Sequence, residues 1–364
     1  MISMTGIVFA LAFLMVQFSA TAYSPRHVQW LARSPLLWHA VGIFSATFIY
    51  ALAAIGWVER SVSGGRAPFL SSWIVIAMLL ASVGVFIALI DKLSLLQLDR
   101  TLAFTADQGR RVIEQLYAAL EDGRVVESPK TGEPMPGALA STVRHWGRPS
   151  VVQALDLELL LALASEADAV VAVACAVGDT LVEGTPMLRV YGSAVDESAL
   201  RHSLALGHER TFEQDPKYAI RLLVDVAIRA LSPAINDPTT AVQALDQIED
   251  LLLRLGRRRL DIGAIRDRSG ALRVIVPVPT WEDFIILAFD EIRFCGATSV
   301  QVMRRMRALA ADLIQALPAE RHPALARYRE RLDATIAQSF SDVEDKKDAS
   351  VEDRQGLGVP RTRQ

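Results

Sequence analysis

The sequence predicts an α-helical membrane bundle of three spans followed by a helix-rich α+β cytoplasmic domain with a short β module. Two observations carry that prediction. Of 38 basic and 41 acidic residues in the 364-residue chain, only Arg26, Arg33, Glu59, Arg60 and Arg66 fall within the first 90 positions. Those positions instead hold three apolar stretches, at 2–22, 36–58 and 69–90, each near the ~20 residues a helix needs to cross a bilayer. The rest of the chain has ordinary globular composition and alternates helical with strand-like periodicity. A single soluble domain, a wholly disordered chain and a small secreted scaffold are excluded.

None of the three stretches has a charge in its middle, where one would cost about 2.5–3.5 kcal/mol on insertion. Tyr23, Trp30, Trp38, Trp57 and Trp73 mark their ends, as interfacial aromatics do. Each stretch also carries small residues at helical spacing. They are Ser3, Gly6 and Ala10 in the first, Gly42, Ala46, Ala53 and Gly56 in the second, and Ala77, Ala81, Gly84 and Ala88 in the third. Small side chains let helices approach closely in lipid. Two uses stay open: packing within one bundle, or an oligomer around a pore in which Ser3 and Gln17 face water or each other. Ala20-Thr21-Ala22 resembles a cleavage site. Yet no basic residue precedes the apolar run, and the run is longer than a signal-peptide core, so an uncleaved span is expected. Arg26, Arg33, Lys92, Arg100, Arg110 and Arg111 fall on one side of the spans, against Arg60 and Arg66 on the other. The positive-inside rule then places the C-terminal domain in the cytoplasm.

The transmembrane part is expected over 1–92 and an exit helix with linker over 93–137. The cytoplasmic domain follows over 138–340, with a disordered polar tail over 341–364. Leu95, Leu98, Leu102, Ile113, Leu116 and Leu120 recur at helical spacing in an amphipathic helix over 91–122, capped at Gly123. The Gly- and Pro-containing stretch 123–137 reads as a loop. Residues 154–165 read as a helix, and 168–191 as a β-hairpin broken by Gly178-Asp179 and Gly184. A second strand pair is expected over 257–278, clearest at LRVIVPV, and helices over 280–292, 296–317 and 321–340.

The most patterned stretch is 207–256. A nearly apolar helix over 217–231 carries Arg221, Asp225 and Arg229 on one face at i, i+4, i+8. Ser232-Pro233 ends it, and Asp237-Pro238 starts the next helix with an N-cap and a first-turn proline. The two helices should form a hairpin about the turn 232–237. Preceding them is a polar cluster of His208, Glu209, Arg210, Thr211, Gln214 and Asp215. Arg210, Asp215, Arg221, Asp225, Arg229, Asn236 and Asp237 together are the candidate ligand site, where arginines could hold an anionic group bidentately. The competing reading is a salt-bridged, solvated helix face with ordinary caps.

Two resemblances bear on these elements. The GDTLVEGTPML run resembles half of a biotinyl- or lipoyl-type domain. No lysine lies between Lys130 and Lys217, so the carrier role that this likeness implies is excluded for the segment. More specifically, TGIVFALAFLMVQFSATAYSPR and ERTFEQDPKYAIRLLVDVAIRALSPAINDPTTAVQALD resemble the bacterial membrane proteins grouped as domain of unknown function 2254. That resemblance implies a multi-pass inner-membrane protein, with another apolar span upstream of the first one here. It implies no activity.

Catalytic signatures are absent from the sequence. His145, His202 and His208 have no metal-protease spacing, and neither a nucleophile elbow, a P-loop nor a dinucleotide fingerprint occurs. Cys175 and Cys295 match no metal or disulfide spacing and fit a reducing compartment. The net charge of −3 predicts no nucleic-acid partner. The run Arg304, Arg305, Arg307 reads as a solvated helix face, or as a contact with anionic lipid. The leading expectation is therefore a non-enzymatic membrane protein with the bilayer and its own copies as partners and no cofactor. A channel or transport assembly is its extension. The alternative is a membrane-anchored ligand sensor or enzyme using the 209–237 region.

Overall fold

The structure, a computed structural model, describes residues 35–60, 69–93, 98–119 and 137–358. The chain divides into two compact units, 1–101 and 102–364. In the first, α1 (Pro35–Arg60) and α2 (Phe69–Leu93) are, among the described residues, the two helices long and apolar enough to cross a membrane, over His39–Gly56 and Phe69–Ala88. The expected first span, with Ser3, Gly6 and Gln17, lies outside the described residues. The two helices pack through Ala40, Phe44, Thr47 and Ser82. Thr47 and Ser82 share a hydrogen bond of 3.1 Å between their hydroxyls. The small residues point elsewhere. A side chain at Gly42, Gly56 or Gly84 would meet open space, and Ala46, Ala53, Ala77, Ala81 and Ala88 are exposed.

The second unit joins a β module to a helical layer. Amphipathic α3 (Leu98–Leu116) buries Leu102, Ala106, Val112 and Ile113. It is shorter than the expected 91–122, because the chain then extends and Ala119 bridges Arg258. The linker 120–136 lies outside the described residues.

Among the described residues, eight strands follow in two sheets. Their ranges are β1 (Leu139–Arg144), β2 (Ser150–Leu155), β3 (Ala169–Val173), β4 (Thr180–Leu181), β5 (Pro186–Gly192), β6 (Leu204–Gly207), β7 (Ala264–Arg266) and β8 (Leu272–Ile275). The five-stranded sheet has the order β1-β5-β3-β8-β7, with β3 and β8 parallel, and the three-stranded sheet the order β4-β2-β6. The predicted pairing within 168–191 is present as antiparallel β3–β5. It is not a simple hairpin, because β4 leaves to pair with β2 in the other sheet. Gly178 (φ 92°) and Gly184 (φ 82°) flank that excursion in backbone conformations that favour glycine. Strands β1, β2 and β6 correct the sequence reading, which placed none of them. The helix expected over 154–165 is α4 (Leu157–Glu166), and Asp156 caps it through Leu159 N at 2.9 Å. Short α5 (Glu197–His202) completes the module, whose core includes Val152, Leu160, Val171, Leu188 and Val274.

The helical layer follows the sequence closely. Asp215 caps α6 (Pro216–Ala230) and Asp237 caps α7 (Pro238–Gly256), each with proline in the first turn. Helices α8 (Trp281–Cys295) and α9 (Val300–Ala316) pack beside them, and α10 (His322–Ser339) packs on α8 and α9. At Gly109 an added Cβ would lie 2.8 Å from Ala219 and 3.0 Å from Leu251, so glycine allows α3 to approach α6 and α7 closely. The tail differs from the disordered expectation over its described part. It carries α11 (Val343–Ala349) and is fastened to α9 by Arg354, whose Nε and Nη2 each lie 2.6 Å from the Asp312 carboxylate.

Candidate functional site

The candidate site residues are strung along α6 rather than gathered around one space. A helix of 15 residues is about 22 Å long, so its two ends are far apart. At the N-terminal end Asp215 is 1% exposed, and its carboxylate accepts from Arg210 Nε at 2.9 Å and Tyr218 N at 3.1 Å. Arg210 also lies over the Tyr218 ring, 5.1 Å from its centroid. The pair is pressed against the β module. A Cβ at Gly178 would come within 2.5 Å of the Asp215 carboxylate and 2.8 Å of Arg210 Nε. Burial pushes the Asp215 carboxyl above its ordinary range, opposed by the Arg210 charge. Burial, with the Asp215 charge, pushes the nearby Tyr117 phenol up as well.

The neighbouring amides join sheet to helix. Gln214 accepts from Leu155 N at 2.9 Å and donates to Leu155 O at 3.1 Å. Gln153 Nε2 donates to Glu209 O at 2.8 Å. The polar cluster 208–215 thus ties β2 to the start of α6. His208 is exposed and stands outside this joint.

In mid-helix Arg221 donates from Nε to Asp225 at 2.7 Å and from Nη2 to Glu291 of α8 at 2.9 Å. Those carboxylates hold the guanidinium proton more firmly than usual, and Arg221 in turn lowers Glu291. Arg229 lies on the same face, half-buried. At the far end residues 233–236 of the turn are exposed. Asn236 is exposed with φ 49°, and Asp237 accepts from Thr240 N at 3.1 Å as a cap. The structure therefore brings together Arg210 with Asp215 and Arg221 with Asp225. It does not bring Asn236 or Asp237 to either pair. Arg210, Asp215, Arg221 and Asp225 are thus engaged in local ion pairs, and Asp237 in a helix cap.

Among the described residues a cleft of about 80 Å³ lies beside the Asp215 end, lined by Tyr117, Leu155, Val177, Gln214, Lys217 and Pro277. Typical small-molecule pockets run to roughly 300–1,000 Å³, so this one admits only a small, mainly apolar group. No three His, Cys, Asp or Glu residues are placed to hold a metal ion among the described residues. His145 Nε2 and His202 Nδ1 instead contact the backbone oxygens of Arg148 and Ser198.

The reading of Arg304, Arg305 and Arg307 as a solvated face is corrected. Arg305 is 2% exposed and donates to Asp246 at 2.8 Å and to Glu249, both on α7. Arg304 donates to Asp348 O at 2.6 Å, and Arg307 pairs with Asp333. The facing acids are spaced i, i+3 on α7, which was the available signal.

Two helices of bilayer-spanning length and composition, with a helix-rich α+β domain, define the class as a predicted membrane protein. The chain belongs to the DUF2254 family of predicted membrane proteins, whose family profile matches residues 1–312. It is 27% identical over 327 residues to uncharacterized proteins of Mycobacterium tuberculosis and Mycobacterium bovis, in alignments covering 86% of this chain. The chain spans 62% of the length of those curated relatives. No solved structure gives a significant match.

Proposed function

We propose that this protein is a multi-pass inner-membrane protein that self-associates within the bilayer and carries its α+β domain on the cytoplasmic side. Its role in this reading is structural or transport-related rather than enzymatic. The observation that carries it is the direction of the small residues. Gly42, Ala46 and Ala53 on α1, and Ala77, Ala81, Gly84 and Ala88 on α2, are exposed while the α1–α2 contact uses other positions. Faces of that kind suit close approach by a further helix. The charge asymmetry of the loops supports the orientation, and the internal pairing of the α6 charges favours a structural domain over a catalytic one.

Cross-linking of a Gly84→Cys variant, in a background with Cys295 replaced by serine, tests the reading together with the mass of the purified protein in detergent. A multimer that cross-links at position 84, and that Ala81→Leu weakens, is expected. A strict monomer discards self-association and the pore with it. Conductance across a planar bilayer then decides whether the assembly passes ions.

A further inference from the structure

Outside the apolar helices, one loop presents an aromatic side chain to solvent in a fixed setting. Trp146 is 62% exposed, and Val182, in the turn after β4, is 54% exposed. The two turns are joined by backbone bonds from His145 N to Thr185 O at 2.9 Å and from Gly184 N to His145 O at 2.8 Å. The buried His145 ring contacts Arg148 O at 2.9 Å, and Ser150 Oγ donates to the same oxygen at 3.1 Å. Gly147 turns the chain at φ 111°. Arg144 and Arg148 flank the indole with exposed side chains, and Glu183 is the acid at the tip. Arg144 Nη1 donates to Gly184 O at 2.8 Å, which directs it along the same tip. None of these contacts needs an exposed tryptophan, and leaving one in water forgoes its burial.

We infer that the Trp146–Val182 tip, with Arg144 and Arg148, docks on an anionic phospholipid surface. An indole prefers the headgroup level, where its ring is shielded and its N–H stays wet. Two arginines beside it complement phosphate charge and form bidentate bonds to it. A bilayer is also a surface that a member of a predicted membrane-protein family meets.

The test uses the full chain in nanodiscs, of phosphatidylcholine alone or mixed with phosphatidylglycerol, each with or without brominated lipid. Subtracting the emission of Trp146→Phe isolates the Trp146 signal. Quenching by brominated lipid is expected in the anionic discs. It should fall in neutral discs and in high salt, and drop about fivefold or more with Arg148→Glu, which reverses one charge. Arg148 contributes only its backbone oxygen to the loop, so that variant keeps the fold and checks the result if Trp146→Phe is damaged. A Trp146 signal that stays fully aqueous in both discs overturns the inference. Shielding that ignores lipid charge but rises with protein concentration overturns it too, in favour of a protein contact.

Discussion

In the α1–α2 pair, Thr47 and Ser82 are buried, while Ile49, Leu52, Ile55, Leu70, Leu79 and Ile87 face outward. In the α6–α7 hairpin, Leu222, Leu223, Leu245, Ile248 and Leu252 are buried, while Arg221 and Asp225 lie toward the surface as a pair. Both arrangements follow one rule applied in two solvents. Apolar atoms go where the surroundings are apolar, which is lipid for the first region and the interior for the second. Polar atoms go where a partner exists: the other helix in the first region, water or an opposite charge in the second. A buried hydroxyl pair and an exposed leucine are thus no anomaly in α1 and α2, and a fully buried arginine in α9 demands partners.

That demand gives the largest expected effect. Arg305→Ala removes the cation facing Glu249, whose carboxyl burial already pushes up with Arg305 in place. Removing one partner of a buried pair costs about 3–5 kcal/mol, so chemical denaturation should show a loss of that size. Replacing the pair together, as Arg305→Met with Glu249→Leu, should recover most of it, since the remaining partner, Asp246, is half-exposed and stays solvated. A loss below about 1 kcal/mol for Arg305→Ala would mean that the pair behaves as a surface bridge, and this half of the comparison breaks.

A second pair of variants places the same change in both solvents. Leu79 and Ile286 are similarly exposed, at 44% and 48%. Leu79 lies near the middle of the apolar stretch Phe69–Ala88, and Ile286 on the outer face of α8. Leu79→Asp should cost about 2.5–3.5 kcal/mol of insertion, read as loss from the membrane fraction. Ile286→Asp should change the stability of the domain by no more than about 0.5 kcal/mol. Equal effects would contradict a lipid surroundings for α2.

The legible parts of the fold were those with local signals. Asp215-Pro216 and Asp237-Pro238 mark the starts of α6 and α7 within the chain itself, and Thr280 with Asp283 forms a capping box on α8. Strands β1, β2 and β6 are short and find their partners far away: Ser141 opposite Val190, and Val151 opposite Gly207. The run ALDLELLLALAS looked like one helix because β2 passes directly into α4, and only Asp156 separates them. The site divides in the same way. Arg221–Asp225 follows from helical spacing, whereas Glu291 and Gly178 reach the site from other elements. Arg305 misled for that reason, since Asp246 and Glu249 lie 59 and 56 positions away.

The smallest effect is expected where the inverted polarity of α1 and α2 is most visible. The Thr47–Ser82 contact is buried, but neither hydroxyl depends on the other. Thr47 Oγ1 also lies 2.7 Å from Ile43 O, and Ser82 Oγ 2.8 Å from Met78 O, each within its own helix, so the hydroxyl that accepts across the contact donates to its own backbone carbonyl. Removing one hydroxyl therefore strands nothing in the apolar interior. A double-mutant cycle of Thr47→Val and Ser82→Ala, followed by unfolding in bicelles, should give a coupling of about 0.6 kcal/mol, the usual size between membrane helices. Both single variants should remain in the membrane fraction. A coupling above about 2 kcal/mol would mean that the bond between the helices, rather than the packing of Ala40 and Phe44, holds the pair together, and the two regions would then rely on buried polar contacts to a similar degree.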